Sequence, residues 1–192
     1  MTRKQKLLKA LYPLSVKLFG LQQNATQVFD SNITPPINFY NLYALTITGA
    51  TYNFASLQGK YVLIVNTASD CGFTAQYSEL QDLQNKRPNN LVVLGFPSNN
   101  FKQQETGTDA AIAQFCSINF GVTFTLMHKS NILMGEAQNT VYQWLTSVTQ
   151  NGVCNQAPSW NFCKYLITPT GRLSHYFGTG VRATEVEKYV KS

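Results

Sequence analysis

In "VNTASDCGFTAQY", residues 65–77, one thiol, Cys71, stands between an apolar, β-branched run and a segment with the period of a helix. No second cysteine follows two or three places on, so this is not a paired redox or metal motif. The junction between a strand's carboxyl end and a helix start is where open α/β folds present ligands. The unpaired N–H groups there favour a thiolate over a thiol. A cysteine at its reference pKa of about 8.5 is only a few per cent ionised at neutral pH. Lowering that value by about two units, some 2.7 kcal/mol, would make thiolate the main form. A buried structural cysteine is the competing reading of position alone. Three further cysteines, Cys116, Cys154 and Cys163, share no metal-ligand spacing with it, and there are only two histidines. No metal ion and no cofactor is expected.

Something must hold Cys71 at such a junction, and 192 residues with 44% hydrophobic and 12% charged composition suffice for one globular domain. The formal charge of +6 does not point to nucleic acid. Five of the fifteen basic residues (Arg3, Lys4, Lys6, Lys9 and Lys17) lie in the first twenty positions, and the remainder is close to neutral. Residues 1–20 combine those charges with Leu7, Leu8, Leu11, Leu14, Leu18 and Phe19, roughly one helical face. Lys9 and Lys17 interrupt any signal-peptide core or membrane span. Two readings remain, a basic amphipathic segment on an anionic membrane surface or a terminal helix packed on the domain. Residues 21–37, rich in Asn, Gln and Thr with Pro35-Pro36, read as a linker or arm, and the compact domain as 38–192.

Within the domain, "ALTITGATYNF" reads as two short strands and "YVLIVNTAS" as a central strand covered on both faces. Thr74 is placed to cap a helix through Lys86, with "LVVLGF" (91–96) as a second buried strand. Thr108 and Asp109 open a helix over "DAAIAQFCSI", and residues 140–148 repeat the helical period. "KYLITPTGRLSHYF" reads as a hairpin, and Thr184 with Glu187 as the capping box of a last helix. Strands alternating with helices and ending in a hairpin imply an α/β sandwich with a mixed sheet.

Four blocks, "GKYVLIVNTASDCGFTAQYSELQDL", "VVLGFPSNNFKQQETGTD", "IAQFCSINFGVTF" and "PSWNFCKYLI", resemble the successive signatures of the glutathione peroxidase family, in its order and at its spacings. The resemblance covers roughly residues 38–191. It implies a thioredoxin-like fold and reduction of hydroperoxides, with Cys71 at the reactive position. The family's catalytic tetrad then falls on Cys71, Gln104, Trp160 and Asn161, the last three supplying N–H donors. Donors aimed at sulfur stabilise a thiolate and the oxygen species that follows it. Cys116 matches the resolving cysteine of thioredoxin-dependent members.

The departures are as informative as the matches. Ser98 stands where many relatives have cysteine in an "FPCNQF" block, so that block supplies no thiol. Asp70 replaces a common lysine, and its carboxylate opposes thiolate formation unless it points away. Thr125 replaces a common proline. On this reading the chain reduces hydrogen peroxide and organic or lipid hydroperoxides through a Cys71 sulfenic acid and a Cys71–Cys116 disulfide. Thioredoxin is the expected reductant and glutathione the alternative. A peroxide sensor that relays oxidation to a partner would use the same cysteine pair. A cytoplasmic monomer is expected, associated with a membrane only on the surface-binding reading of residues 1–20. Cys163 reads as core and Cys154 as an incidental loop thiol.

Overall fold

The computed structural model describes residues 25–191. Its centre is a six-stranded mixed sheet in the order β1-β8-β7-β4-β5-β6. The strands are β1 (Thr26–Val28), β4 (Tyr61–Thr67), β5 (Leu91–Pro97), β6 (Thr125–Leu126), β7 (Lys164–Ile167) and β8 (Leu173–Phe177), with β2 (Tyr43–Leu45) and β3 (Thr51–Asn53) forming a separate hairpin. β4 runs parallel to β5, and β5 to β6, while β7 and β8 return antiparallel.

β4 explains the two-layered core. Successive residues of a strand point to opposite faces. Leu63 and Val65 enter the cluster beneath helices α1 (Gln76–Lys86) and α2 (Asp109–Phe120), while Val62 and Ile64 enter the cluster around α3 (Thr140–Leu145). Both sets are fully buried, as the unbroken apolar run requires. α1 faces inward through Tyr77, Leu80 and Leu83.

α2 is attached more thinly. Its buried residues are Ile112, Cys116 and Phe120, a single stripe at intervals of four. Thr108 caps its start by accepting from the Ala111 N–H at 3.3 Å, and Gly121 ends it in the left-handed conformation at φ 63°.

Several local expectations are corrected. α1 begins at Gln76 with no side-chain cap, because residues 71–75 wind in tighter turns (Thr74 N–H to Cys71 carbonyl, 3.3 Å; Gln76 N–H to Phe73 carbonyl, 3.0 Å) and the Thr74 hydroxyl is buried. The span 140–148 divides into α3 and α4 (Val148–Asn151). The last helix, α5 (Ala183–Val186), is preceded by Arg182, not Thr184; the Glu185 carboxylate accepts from the Arg182 N–H at 3.4 Å.

Residues 25–37 do not stand off as an arm. β1 pairs with β8, Trp144 Nε1 donates to the Ile37 carbonyl at 2.8 Å, and Arg172 donates to Ser31 and Asn32 carbonyls at 3.0 and 3.1 Å. Backbone partners on the sheet edge and one guanidinium hold a sequence whose side chains alone predict no structure. Residues 1–20 lie outside the described residues.

Candidate active site

Cys71 follows the carboxyl end of β4 and precedes α1, in the loop anticipated from its neighbours. The turns over 71–75 bring the Phe73 N–H back toward its sulfur, and the side chains of Asn161 and Trp160 lie close enough to bear on it. Each of these three donors lowers the thiol pKa. Burial outweighs them: Cys71 is 1% exposed, and desolvation pushes its pKa above the ordinary value. The expected depression is therefore not the resting state. The site offers donors for negative charge on sulfur, while burial favours the neutral thiol.

Trp160 and Asn161 come from the turn before β7, whose shape depends on Asn66 at the end of β4. The Asn66 amide donates to the Trp160 carbonyl at 2.9 Å, and its own carbonyl accepts from the Phe162 N–H at 2.6 Å. Phe162 is held at φ 64°, a conformation that costs a non-glycine residue about 1 kcal/mol or more. The Thr179 hydroxyl closes the turn from behind, donating to the Asn161 carbonyl at 2.9 Å. Asn66 and Thr179 escaped the sequence reading. The available signal for Asn66 was a polar side chain inside an otherwise apolar buried strand.

Gln104 sits in the loop after β5, preceded by Lys102 and Gln103 at φ 50° and 51°. Its carbonyl oxygen Oε1 accepts from Asn161 Nδ2 at 2.8 Å, and its backbone carbonyl accepts from the Asp70 N–H at 3.0 Å. The expectation that Gln104 donates directly to sulfur is thus modified: its side chain accepts from Asn161, and it is Asn161 that bears on Cys71. The Trp160 ring lies 5.5 Å from that of Phe101, with Lys102 Nζ 5.6 Å from its centroid. Burial raises the Glu105 pKa, and the Asp70 carboxylate adds a little to that rise.

Cys116 is fully buried on the inner stripe of α2. Burial pushes its thiol up to about 12, the neighbouring Tyr77 hydroxyl opposes this, and the Glu105 charge adds to it. Tyr77 Oη lies beside both Cys116 and Thr67 without a full hydrogen bond to either. All four cysteines are free thiols.

The family model described as "Glutathione peroxidase" matches residues 39–146, more than half of the chain. The chain belongs to the glutathione peroxidase family. It is an oxidoreductase acting on peroxides, a thiol peroxidase. It is 38% identical over 156 residues to "Glutathione peroxidase-like peroxiredoxin 2" of Saccharomyces cerevisiae, covering 81% of this chain and 96% of the yeast protein. A glutathione peroxidase-like peroxiredoxin of Chlamydomonas reinhardtii is 41% identical over 159 residues, covering 80% of this chain and 97% of its own. Among solved structures, T. cruzi GPX1 superposes with a TM-score of 0.61 at 26% identity, covering 80% of this chain and 94% of its own. A thioredoxin family protein from Chlorobium tepidum shares the fold alone, with a TM-score of 0.58 at 12% identity over 82% of this chain and 93% of its own. The peroxidase fold is thus thioredoxin-like.

The two other cysteines of this peroxidase sit in polar seats. Cys163 is buried, accepting from Tyr176 Oη at 3.2 Å with the Thr179 hydroxyl 3.5 Å away. Cys154, expected as a loop thiol, is 1% exposed, and burial pushes it up to about 11. Its sulfur accepts from the Gln156 N–H at 3.2 Å.

Proposed function

We propose that Cys71 is the peroxide-reacting thiol, Cys116 the resolving thiol, and a thioredoxin-type dithiol protein the reductant. The observation that carries this reading is the convergence of the Phe73 N–H, Asn161 and Trp160 on one sulfur. Cys71 sulfur attacks the terminal hydroxyl oxygen of ROOH, the O–O bond breaks, and the thiol proton goes to the departing RO oxygen, giving a sulfenic acid and the alcohol ROH. The three donors stabilise negative charge on sulfur as the proton departs. Cys116 then attacks the sulfenic sulfur, releasing water and forming a disulfide. A dithiol partner reduces that disulfide by exchange and leaves oxidised.

On this reading local opening of α2, on which Cys116 is buried, is part of resolution. A thiol with a pKa near 12 is a poor nucleophile where it rests, and bridging needs Cα atoms within about 7 Å. An opening would release the stripe of Ile112, Cys116 and Phe120, the Phe115 packing and the Asp109 bond to the Lys129 N–H, a local rather than a global unfolding. A dedicated second thiol favours a protein dithiol over glutathione, and repeated turnover separates an enzyme from a sensor. The test is steady-state hydrogen peroxide turnover coupled to thioredoxin, thioredoxin reductase and NADPH, against glutathione with its reductase. Faster cycling with thioredoxin is expected; faster cycling with glutathione would reverse the assignment.

Between α3 and Trp160 lie only α4 and a short loop, which favours a monomer with an open site. Among the described residues no helix is long and apolar enough to cross a membrane. Residues 1–20 fit surface contact, since each basic residue near an anionic surface adds about 1 kcal/mol. Full-length protein should co-sediment with anionic vesicles at low salt and lose binding when the chain starts at Gln22. Equal sedimentation of both forms would remove the membrane assignment.

A further inference from the structure

Glu105 follows the tetrad's Gln104, is 1% exposed, and has no role in the chemistry described so far. Its Oε2 accepts from both the N–H and the hydroxyl of Ser69, at 2.8 and 3.0 Å. Its own N–H is fixed by Asn99 Oδ1 at 2.9 Å. Ser69 lies two residues before Cys71, and the Asp70 N–H between them donates to the Gln104 carbonyl. One side chain and one peptide therefore stitch the loop bearing Gln104 to the loop bearing Cys71. The carboxyl also borders a cavity of about 190 Å³ walled by Ser69, Asp70, Gln104, Ile112 and Phe115, between the Cys71 loop and α2. That cavity gives the buried group a route for proton exchange.

We propose that Glu105 is a positioning residue for peroxide reduction, its carboxylate clamping Ser69 so that Cys71 stays in register with Asn161 and Trp160. This rests on Cys71 being the reacting thiol. The clamp is strongest when Glu105 is ionised, because hydrogen bonds to a carboxylate are roughly twice as strong as those to a neutral acceptor.

Burial pushes the Glu105 pKa up to about 7, with the two Ser69 bonds opposing that shift. The charged groups that bear on Glu105 are Asp70 from its partner loop, which raises its pKa, and Lys129 from the segment after β6, which lowers it. Tyr77 from α1 and Cys116 from α2 face it as neutral groups and feel its charge. The clamp therefore tightens as pH rises through about 7, inside the working range of a cellular enzyme.

The experiment is the single-turnover oxidation of Cys71 by hydrogen peroxide, followed by stopped flow from pH 5.5 to 8.5 in the full chain and in Glu105→Gln. The amide keeps an acceptor oxygen but never ionises. The ratio of parent to variant rate should be smallest at pH 5.5 and grow about tenfold by pH 8.5, with its midpoint near 7. Thiolate formation at Cys71 is common to both proteins and cancels in that ratio. A purely structural loss would lower the rate equally at every pH, so a flat ratio overturns the proposal. Ser69→Ala, which removes one of the two donors and with it part of the opposition to burial, should show a smaller deficit whose midpoint lies at higher pH than in the parent. It serves as the test if Glu105→Gln does not fold, and a flat ratio there is equally decisive. Cys71→Ser measured alongside separates the two claims: if it still consumes peroxide, the Cys71 reading fails, whereas an inert Cys71→Ser with a flat ratio fails only Glu105.

Discussion

Replacing Cys71 by serine is expected to reduce peroxide consumption to the uncatalysed background, a loss of more than about 10³-fold. The donors around this position stabilise negative charge on sulfur, and a serine hydroxyl does not ionise at neutral pH even with their help. The fold should survive. The oxygen is smaller than sulfur but meets the same N–H groups, so the stability change should stay near 1 kcal/mol or less. Stopped-flow peroxide consumption and a thermal melt on one sample check both halves. Substantial turnover with an unchanged melt would show that another group carries the reaction.

Cys116→Ser should divide the cycle in two. The first oxidation needs only Cys71 and its donors, so about one equivalent of peroxide per chain is still consumed at the parent rate. NADPH-coupled cycling with thioredoxin should fall by about two orders of magnitude or more, because the sulfenic acid has no internal thiol to condense with. The burst followed by arrest is the informative signature, since an unfolded variant would show neither. The parent should gain a Cys71–Cys116 disulfide on oxidation, visible by peptide mapping, and the variant should accumulate overoxidised Cys71. A variant that cycles as well as the parent would exclude Cys116 and make Cys154 the next thiol to test.

How far the sequence led depended on whether a feature was local. The apolar runs of β4 and β5, the Thr108 cap and the hairpin of β7 and β8 follow from short-range patterns and occur where expected. β1 does not: Thr26–Val28 has no face to bury, and only pairing with β8 makes it a strand. The start of α1 was misplaced because Thr74 has the right chemistry for a cap, yet the backbone before it is already wound toward Cys71. At the site, the junction housing Cys71 was legible from its flanks, and Gln104, Trp160 and Asn161 only through the family resemblance. The sign of the Cys71 shift was not, because it balances nearby donors against burial supplied by distant segments. Asn66, Thr179 and Glu105 act across 94, 18 and 36 residues of chain, a range that no local pattern encodes.

Every sulfur of the four cysteines is covered, so an alkylating reagent applied to the native protein does not count thiols but waits for excursions. Where reclosing outpaces the reagent, each labelling rate is the intrinsic rate scaled by the equilibrium for exposing that sulfur. Cys154 and Cys163, tied into polar seats by backbone and side-chain donors, become internal references for wholesale unfolding. Cys116, whose helix buries only Ile112 and Phe120 beside it and is otherwise held by the half-buried Phe115 and the Asp109 contacts to His128 and Lys129, registers the smaller excursion of α2. The molecule thus carries its own clock for the motion its second chemical step demands, readable by mass spectrometry without a fluorophore, an isotope or a substituted residue.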